Sequence, residues 1–467
     1  MPSTIKTRFA PSPTGYLHLG NMRTALFNYL LAKKDASGIF LLRIEDSDAE
    51  RSELIYLDSL MQDLRWLGLQ WDEGPEEGGD AGPYLQAERM DIYNQYYQQL
   101  LANNQAYPCF CTEEQLALSR KMQHIAGQAP RYAGTCANLS EEEVTTKKAQ
   151  GLPFTLRFRV PKKQTVKFND LVKGALVFQT DDLGDFIIKR SSDAPAFMFC
   201  NAIDDAMMKV SHAVRGEDHL TNTPRQILIL AALGLPAPQY GHITLIVGPD
   251  NSPLSKRHGS KSIRELRAMG FLPEALNNYL ARLGHYYPEN KLYTLAELSE
   301  HFTDAQLGRS AARFDQKQLD YWQKVSLSRL SDQEFWAWLT YEVGSIVPQD
   351  KHMAFTQMIR AELVLPSEAL IWAKRAFTNE LVYTDEAKQV LNETPEKFFK
   401  IAHSENDYLQ LLEKLKAEGY KGKALFQPLR AALMGTLQGP ELTLWWELLS
   451  AIQREQRFQR EFHVTDL

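Results

Sequence analysis

Residues Ile5 to Asp48 read IKTRFAPSPTGYLHLGNMRTALFNYLLAKKDASGIFLLRIEDSD, and this stretch decides the fold class. IKTRFAP is a strand-type run and PSPTGYLHLG is dense in turn residues. NMRTALFNYLLAKK then spaces Met22, Ala25, Leu26, Tyr29 and Leu30 as one apolar helical face, with Gly38 as a nearby stop. GIFLLRIED returns to a strand. Strand, helix and strand in succession form a βαβ unit, and that unit implies a parallel sheet.

Working outward, Leu57, Leu60, Met61, Leu64 and Leu67 predict a second amphipathic helix, followed by a Gly- and Pro-rich loop from Asp72 to Pro83. From about Tyr107 to Arg190 the pattern shifts to short β-type runs such as FTLRFRV and GALVF, which predicts an insertion with its own small core. The α/β pattern then resumes: PRQILILAALGL (Pro224 to Leu235) reads as a helix, ITLIV (Ile243 to Val247) as a short buried strand, and GPDNSPLSKRHGS (Gly248 to Ser260) as a polar, mobile loop. Beyond about Pro273 helical periodicity dominates, so the C-terminal third reads as all-helical.

A chain of 467 residues with 44% hydrophobic content is long enough for three or four domains. No run approaches the roughly 20 apolar residues of a membrane-spanning helix, and MPSTIKTRFAP has no secretory core. A soluble, cytoplasmic protein is expected. Four cysteines are too few for a disulfide framework; Cys109, Cys111 and Cys136 group together and Cys200 stands apart, which suits either a metal or reduced thiols. The formal net charge of -6 weighs against a nucleic-acid partner only mildly, because local basic patches on an acidic protein still grip RNA.

Two motifs carry chemistry. His18-Leu19-Gly20-Asn21 stands at a helix N-terminus, where free N–H groups and the helix dipole favour phosphate. Alone, it is better read as a structural histidine and a turn glycine. Leu254-Ser255-Lys256-Arg257 lies in a loop more than 200 residues later, and a lysine beside an arginine suits the charge that grows on a leaving pyrophosphate. Alone, it reads as a solvated basic loop. The pair, in this order and in these settings, points to nucleotide chemistry.

Together these two motifs resemble the HIGH and KMSKS signatures of class I aminoacyl-tRNA synthetases. TRFAPSPTGYLHLG (Thr7 to Gly20), LLRIEDSD (Leu41 to Asp48), VRGEDHLTNTPRQ (Val214 to Gln226), FLPEALNNYLARLG (Phe271 to Gly284) and QPLRAALMGTL (Gln427 to Leu437) further resemble bacterial-type glutamyl-tRNA synthetases, over essentially the whole chain. The resemblance implies an α/β plus all-α protein: a Rossmann-type catalytic domain in two halves (1–107 and 191–250), a connective acceptor-binding insertion (108–190), a mainly helical stem-contact region with the KMSKS-like loop (251–325) and a helical anticodon-binding region (326–467). It implies a cytoplasmic monomer that uses ATP with Mg²⁺ to join L-glutamate to tRNA(Glu), with no membrane and no obligate protein partner; the residues leave open whether tRNA(Gln) is also a substrate.

The resemblance also implies residue roles. His18, Lys256 and Arg257 are the expected catalytic groups. Pro11, Ser12, Thr14, Gly15, His18, Gly20, Asn21, Ser255 and Lys256 are expected at ATP. Glutamate carries two carboxylates and one ammonium, so its pocket needs two cations and an anion. Arg8 and Arg215 are expected at the carboxylates and Glu45 at the ammonium, with Ala10, Ser12, Phe197 and Asn201 beside them. Arginine suits bidentate contact with a planar carboxylate.

This sequence departs from the family in three places. Phe197 stands where a tyrosine is usual, Pro253 replaces the opening lysine of the second signature, and Asn138 stands where zinc-binding members often carry a histidine. Cys109, Cys111 and Cys136 with Tyr132 as an unusual fourth ligand form one reading of the cysteine group; free thiols form the other. A small-molecule nucleotidyltransferase would need neither the helical C-terminal residues nor an amino-acid pocket. A non-catalytic tRNA-binding relative fits poorly with His18, Gly20, Lys256, Arg8 and Glu45 all being present, and shortened relatives that modify a base lack the region around Gln427 to Leu437.

Overall fold

The computed structural model describes residues 4–47, 54–255, 261–378 and 381–459. The chain forms two compact units, one from residues 1–265 with 276–315 and one from 266–275 with 316–467.

The first unit is built on a four-stranded parallel sheet. Strand β1 (Lys6–Phe9) leads into helix α1 (Leu19–Lys33) and strand β2 (Ile39–Leu42), and β1 pairs with β2 with Arg8 opposite Leu41. The βαβ reading of Ile5 to Asp48 holds as far as Ser47, where description stops. Helix α1 starts two residues earlier than the spacing predicts, and it has no single apolar face. Arg23, Asn28 and Phe27 are buried along with Met22 and Leu26, because Phe27 packs edge-on against Phe302 at 5.3 Å on the far side. Helices α2 (Leu54–Trp66) and α3 (Met90–Ala102) follow.

The insertion begins with strand β3 (Ala106–Cys109) and contains helices α4 (Glu113–Ile125) and α5 (Glu141–Ala149), neither of which buries a residue. Each is closed at its start by a capping box, Thr112 with Gln115 and Ser140 with Glu143, so the ends rather than a core define them. Strands β4 (Thr155–Phe158), β5 (Thr165–Asp170) and β6 (Gly174–Gln179), the single turn α6 (Thr180–Leu183) and strand β7 (Phe186–Lys189) complete it. The strands form an antiparallel β3-β4-β7 sheet and a separate β5-β6 hairpin.

The insertion has a small core of its own, Tyr107, Cys109 and Cys136 with Tyr132 and Leu139 against them, but its main sheet packs elsewhere. Leu156, Phe158, Phe186 and Ile188 pack in one cluster with Tyr93 and Tyr97 of α3 and with Phe199 and Ile203 of helix α7 (Phe197–Met207). Phe199 stacks on Tyr97 with ring centroids 4.2 Å apart. Its truncation would cost about 3–5 kcal/mol.

Strand β8 (His212–Gly216) then inserts beside β1, helix α8 (Thr223–Leu233) crosses over, and strand β9 (Gln239–Ile243) pairs parallel to β8, giving the order β2-β1-β8-β9. The chain reverses its direction of travel across the sheet between β1 and β8. That reversal opens a crevice at the strands' carboxyl ends, where ligands bind in such folds. ITLIV is not one strand: Ile243 ends β9, and Ile246–Val247 forms strand β10, paired with strand β11 (Ala312–Arg313) in a separate ladder.

The second unit is helical, with Phe335, Phe355, Phe398, Leu429 and Trp445 fully buried in one core. No helix among the described residues is long and apolar enough to cross a membrane.

Candidate active site

A buried cluster of charged side chains is assembled from four elements at this end of the sheet. Arg8 leaves the end of β1 and is buried; its Nε donates to both carboxylate oxygens of Asp205, at 3.2 and 3.3 Å, and its Nη1 to the Val214 carbonyl at 3.2 Å. Arg43, just past β2, is fully buried. It donates from Nη1 to Asp205 at 2.6 Å and from Nη2 to Glu45 at 3.1 Å, and its Nε lies 3.8 Å from Asp204. Asp204 also accepts from Arg89 Nε at 2.7 Å, Gln86 Nε2 at 2.8 Å and the Tyr93 hydroxyl at 2.8 Å. Burial works against ionisation of Asp205, but Arg8 and Arg43 outweigh it and hold its pKa below the carboxylate range.

Asn201 stands between Glu45 and Arg215 and bonds to both. The Asn201 amide donates to Glu45 at 2.6 Å, and its oxygen accepts from Gln226 at 2.8 Å and from Arg215 Nη1 at 3.5 Å. Burial raises the Glu45 pKa, against the pull of Arg43 and Asn201.

Arg215 sits at the end of β8 and is the unusual member. Its Nη2 donates to Thr223 Oγ1 at 2.7 Å and to Gln226 Oε1 at 2.6 Å, and its Nε to His242 Nε2 at 3.3 Å. Among the described residues it forms no ion pair. Burial, then repulsion from Arg8, lowers its pKa to about 10. A buried cation held by neutral groups is arranged to receive an anion.

A cavity of about 170 Å³ opens beside Glu45, lined among others by Ser12, Thr14, Arg190, Phe197 and Cys200. Phe197 packs at 5.1 Å against His219, whose pKa burial and Arg215 lower to about 4. Ala10 and Pro11 continue β1 past its end: Arg43 N donates to Phe9 O and Glu45 N to Pro11 O, both at 3.0 Å, which brings Ser12 level with Glu45.

His18 caps α1, its Nδ1 accepting the Gly20 N–H at 3.1 Å. The neutral ring therefore carries its proton on Nε2, where it can donate to a phosphate oxygen. Desolvation lowers its pKa, which favours the neutral ring. Gly15 has open space beside its α-carbon, and Asn21 is half-buried in the first turn of α1.

Lys256 and Arg257 lie outside the described residues, but the two ends of their segment are fixed. Leu254 N donates to Ile246 O at 2.8 Å, Val247 bridges Pro253, and Ser255 is half-buried. On the other side Ser262 bridges His18 and Ile263 N donates to Leu17 O at 2.9 Å. The chain that leaves the second signature thus returns to His18 at Ser262.

Away from this crevice, Cys109, Cys111 and Cys136 bring their sulfurs within 4.8 Å of one another. Cys111 and Cys136 are 3.7 Å apart, and the Tyr132 hydroxyl lies 3.3 Å from Cys109 and 3.7 Å from Cys111. A tetrahedral zinc with sulfur and oxygen ligands requires S···S of about 3.8 Å and S···O of about 3.5 Å, which the Cys111–Cys136 separation and the two Tyr132 separations approach. Burial opposes ionisation of Cys109, yet Tyr132 and Arg157 bring its pKa down to about 7, while burial and Cys109 push Cys111 up to about 11.

Motif reading brought Arg8, Glu45, Asn201 and Arg215 to one place. It missed Arg43, Asp204 and Asp205. One signal was available: two adjacent acids in FMFCNAIDDAM, an otherwise apolar helix, require buried cations.

Residues 4–321 match the family model described as tRNA synthetases class I (E and Q), catalytic domain, and residues 356–460 match one described as anticodon binding domain. A protein of Nitrosococcus oceani named glutamate–tRNA ligase 2 is 54% identical over 463 residues, covering 98% of each chain. One of the same name from Coxiella burnetii is 53% identical over 444 residues, 94% of this chain and 95% of the other. The crystal structure of a glutamate tRNA ligase from Elizabethkingia meningosepticum in complex with its amino acid superposes with a TM-score of 0.88 at 28% identity, covering 99% and 100% of the two chains.

Proposed function

This chain belongs to the class I tRNA synthetases, and on that premise we propose that it activates L-glutamate with ATP and transfers it to the terminal adenosine of tRNA(Glu), releasing AMP and diphosphate. The observation that carries the glutamate assignment is the buried Arg215, held only by neutral partners and linked through Asn201 to Glu45. One carboxylate of the substrate pairs with Arg215, the other lies toward Arg8, and the ammonium meets Glu45. Ser12 adds a hydrogen bond beside Ala10, and Phe197 supplies a wall without a hydroxyl.

Activation needs no general base, because the attacking α-carboxylate is already ionised at neutral pH. The protein therefore works by positioning and by stabilising charge. His18 donates from Nε2 to an ATP phosphate; Pro11, Ser12, Thr14, Gly15, Gly20, Asn21 and Ser255 shape the nucleotide site; Lys256 and Arg257 take up the charge of the departing pyrophosphate. Mg²⁺ enters with ATP as part of the substrate. A terminal-ribose hydroxyl of the tRNA then attacks the mixed anhydride, the 2′-hydroxyl as in class I enzymes.

In this reading residues 108–190 meet the acceptor end, 251–325 the tRNA inner corner and 326–467 the anticodon. The match of 356–460 to an anticodon binding domain supports the last and disfavours a shortened, base-modifying relative. Four unpaired thiols suit a reducing cytoplasm.

The deciding experiment charges tRNA(Glu) and tRNA(Gln) with labelled glutamate, comparing wild type, Arg215→Ala and Lys256→Ala. ATP-dependent charging is expected, with the glutamate KM of Arg215→Ala raised on the order of a hundredfold and Lys256→Ala slowed in activation. Charging of tRNA(Gln) as well would define tRNA breadth. An intact protein that binds ATP and charges neither tRNA would overturn the proposal.

Zinc held by Cys109, Cys111, Cys136 and Tyr132 would act structurally, tying β3 to the loop after α4. Elemental analysis is expected to find one zinc per chain, lost in Cys136→Ser together with a lower melting temperature. Wild-type protein with all thiols titratable and no zinc would remove the ion from this reading.

A further inference from the structure

Behind Arg215 runs a hydrogen-bonded chain that starts outside the parallel sheet, in the insertion. Asp170 ends β5 at the turn of the β5-β6 hairpin. Its Oδ1 accepts from the backbone of Val172 and Lys173, both at 2.9 Å, and of His242 at 3.2 Å. Its Oδ2 lies 2.6 Å from Nδ1 of His242, and both side chains are wholly buried. A carboxylate only accepts, so Nδ1 carries the imidazole proton and Nε2 is left as an acceptor. That acceptor meets the Thr223 hydroxyl at 2.9 Å and Arg215 Nε at 3.3 Å.

The hairpin turn is pinned where this chain begins. Leu171 N donates to Tyr240 O at 2.9 Å, and Lys173 pairs with Glu217 at 2.5 Å. A side chain on Gly241 would meet Leu171 at 3.2 Å, so the turn lies directly on β9.

We propose that Asp170 and His242 are positioning residues for Arg215: they fix the imidazole tautomer that accepts from its Nε, aim the guanidinium at the substrate carboxylate, and so make glutamate affinity depend on the insertion's hairpin. This rests on the reading of Arg215 as the carboxylate ligand. The insertion, which that reading assigns to the tRNA acceptor end, then acts on the amino-acid pocket through a single carboxylate.

Asp170→Asn isolates the effect with little change of shape. Three backbone N–H groups hold the amide oxygen where Oδ1 was, so the amide nitrogen must face His242. Nδ1 then accepts, the proton moves to Nε2, and an N–H opposes the N–H of Arg215. In ATP–pyrophosphate exchange with tRNA present, Asp170→Asn should raise the glutamate KM about ten- to a hundredfold, with the KM for ATP unchanged and kcat altered less than KM. His242→Gln offers Arg215 an amide oxygen without a tautomer to set. Its KM should rise less than that of Asp170→Asn, and adding Asp170→Asn to it should cost little more.

A folded Asp170→Asn with wild-type glutamate KM would overturn the proposal. So would costs that add independently in the double variant, or an equal loss for ATP and glutamate. Arg215→Ala in the same assay separates the two levels: an unchanged glutamate KM there takes down the pocket assignment itself, whereas a raised one beside an unaffected Asp170→Asn takes down only the positioning role.

Discussion

Gly20 leaves just enough room for His18 to cap its own helix. A methyl group there would lie 3.1 and 3.2 Å from Cε1 and Nδ1 of the ring, closer than ordinary contact. Gly20→Ala should tilt His18 away from phosphate and slow ATP–pyrophosphate exchange about tenfold, leaving glutamate affinity by calorimetry near wild type; an unchanged exchange rate would show that the ring's placement does not matter. Glu45 bears on pH. Its folded pKa is raised, so it takes up a proton at higher pH than an exposed glutamate, whereas Asp205, with a lowered pKa, stays charged through the same window. In stability, Asp205 contributes above its unfolded pKa and that contribution disappears as pH falls through its folded one. In binding, glutamate KM should climb as pH falls toward Glu45's raised pKa, and Glu45→Gln should show a high KM without that acid limb. Arg8, Glu45 and Arg215 were legible because each sits in a motif whose neighbours are also distinctive. Arg43 and Asp205 were not, since the partners that neutralise them lie far off in the chain, 162 residues apart for this pair and 197 for Arg8 and Asp205.

At the scale of elements, two glycines with the same backbone state should respond differently to the same change. Gly234 closes α8 at φ 67° with nothing within 4 Å of where a side chain would start, whereas Gly435 closes helix Lys423–Met434 at φ 71° with the Val382 carbonyl only 2.5 Å away. Gly234→Ala should cost the left-handed penalty alone, about 1–2 kcal/mol, and Gly435→Ala distinctly more, as measured by urea denaturation; equal costs would mean that Val382 simply moves aside. Periodicity revealed most elements but not their surroundings. It assigned α1 one apolar face because Arg23 and Asn28 are polar, yet both are buried, Arg23 donating to the carbonyl of Leu283 and Asn28 to that of Val214. It read Ile243 to Val247 as one strand because five such residues carry no mark of the crossing from one ladder to another. It overlooked α4 and α5 in a region of β-type runs because helices that bury nothing leave no apolar spacing to read.

At the scale of the molecule, the two units have separate cores, so unfolding should not be a single event. Calorimetry is expected to resolve two transitions, with glutamate and ATP raising only the one that belongs to the first unit; one transition shifted as a whole would show that the units unfold together. The division into an α/β part and a helical part was plain from composition and periodicity. The arrangement within the first part was not, because no local pattern announces that β8 lies beside β1. Lys6 N donates to Ser211 Oγ across 205 residues, and that distance has a meaning in time. A ribosome adding about 5–20 residues per second needs on the order of 10–40 s to make the intervening chain. Throughout that interval β1 is without its native neighbour on one edge and can pair with a foreign strand. For this chain, the ordering of the sheet makes birth on the ribosome a period of exposure to aggregation, and shielding of the nascent β1 a condition of a good yield.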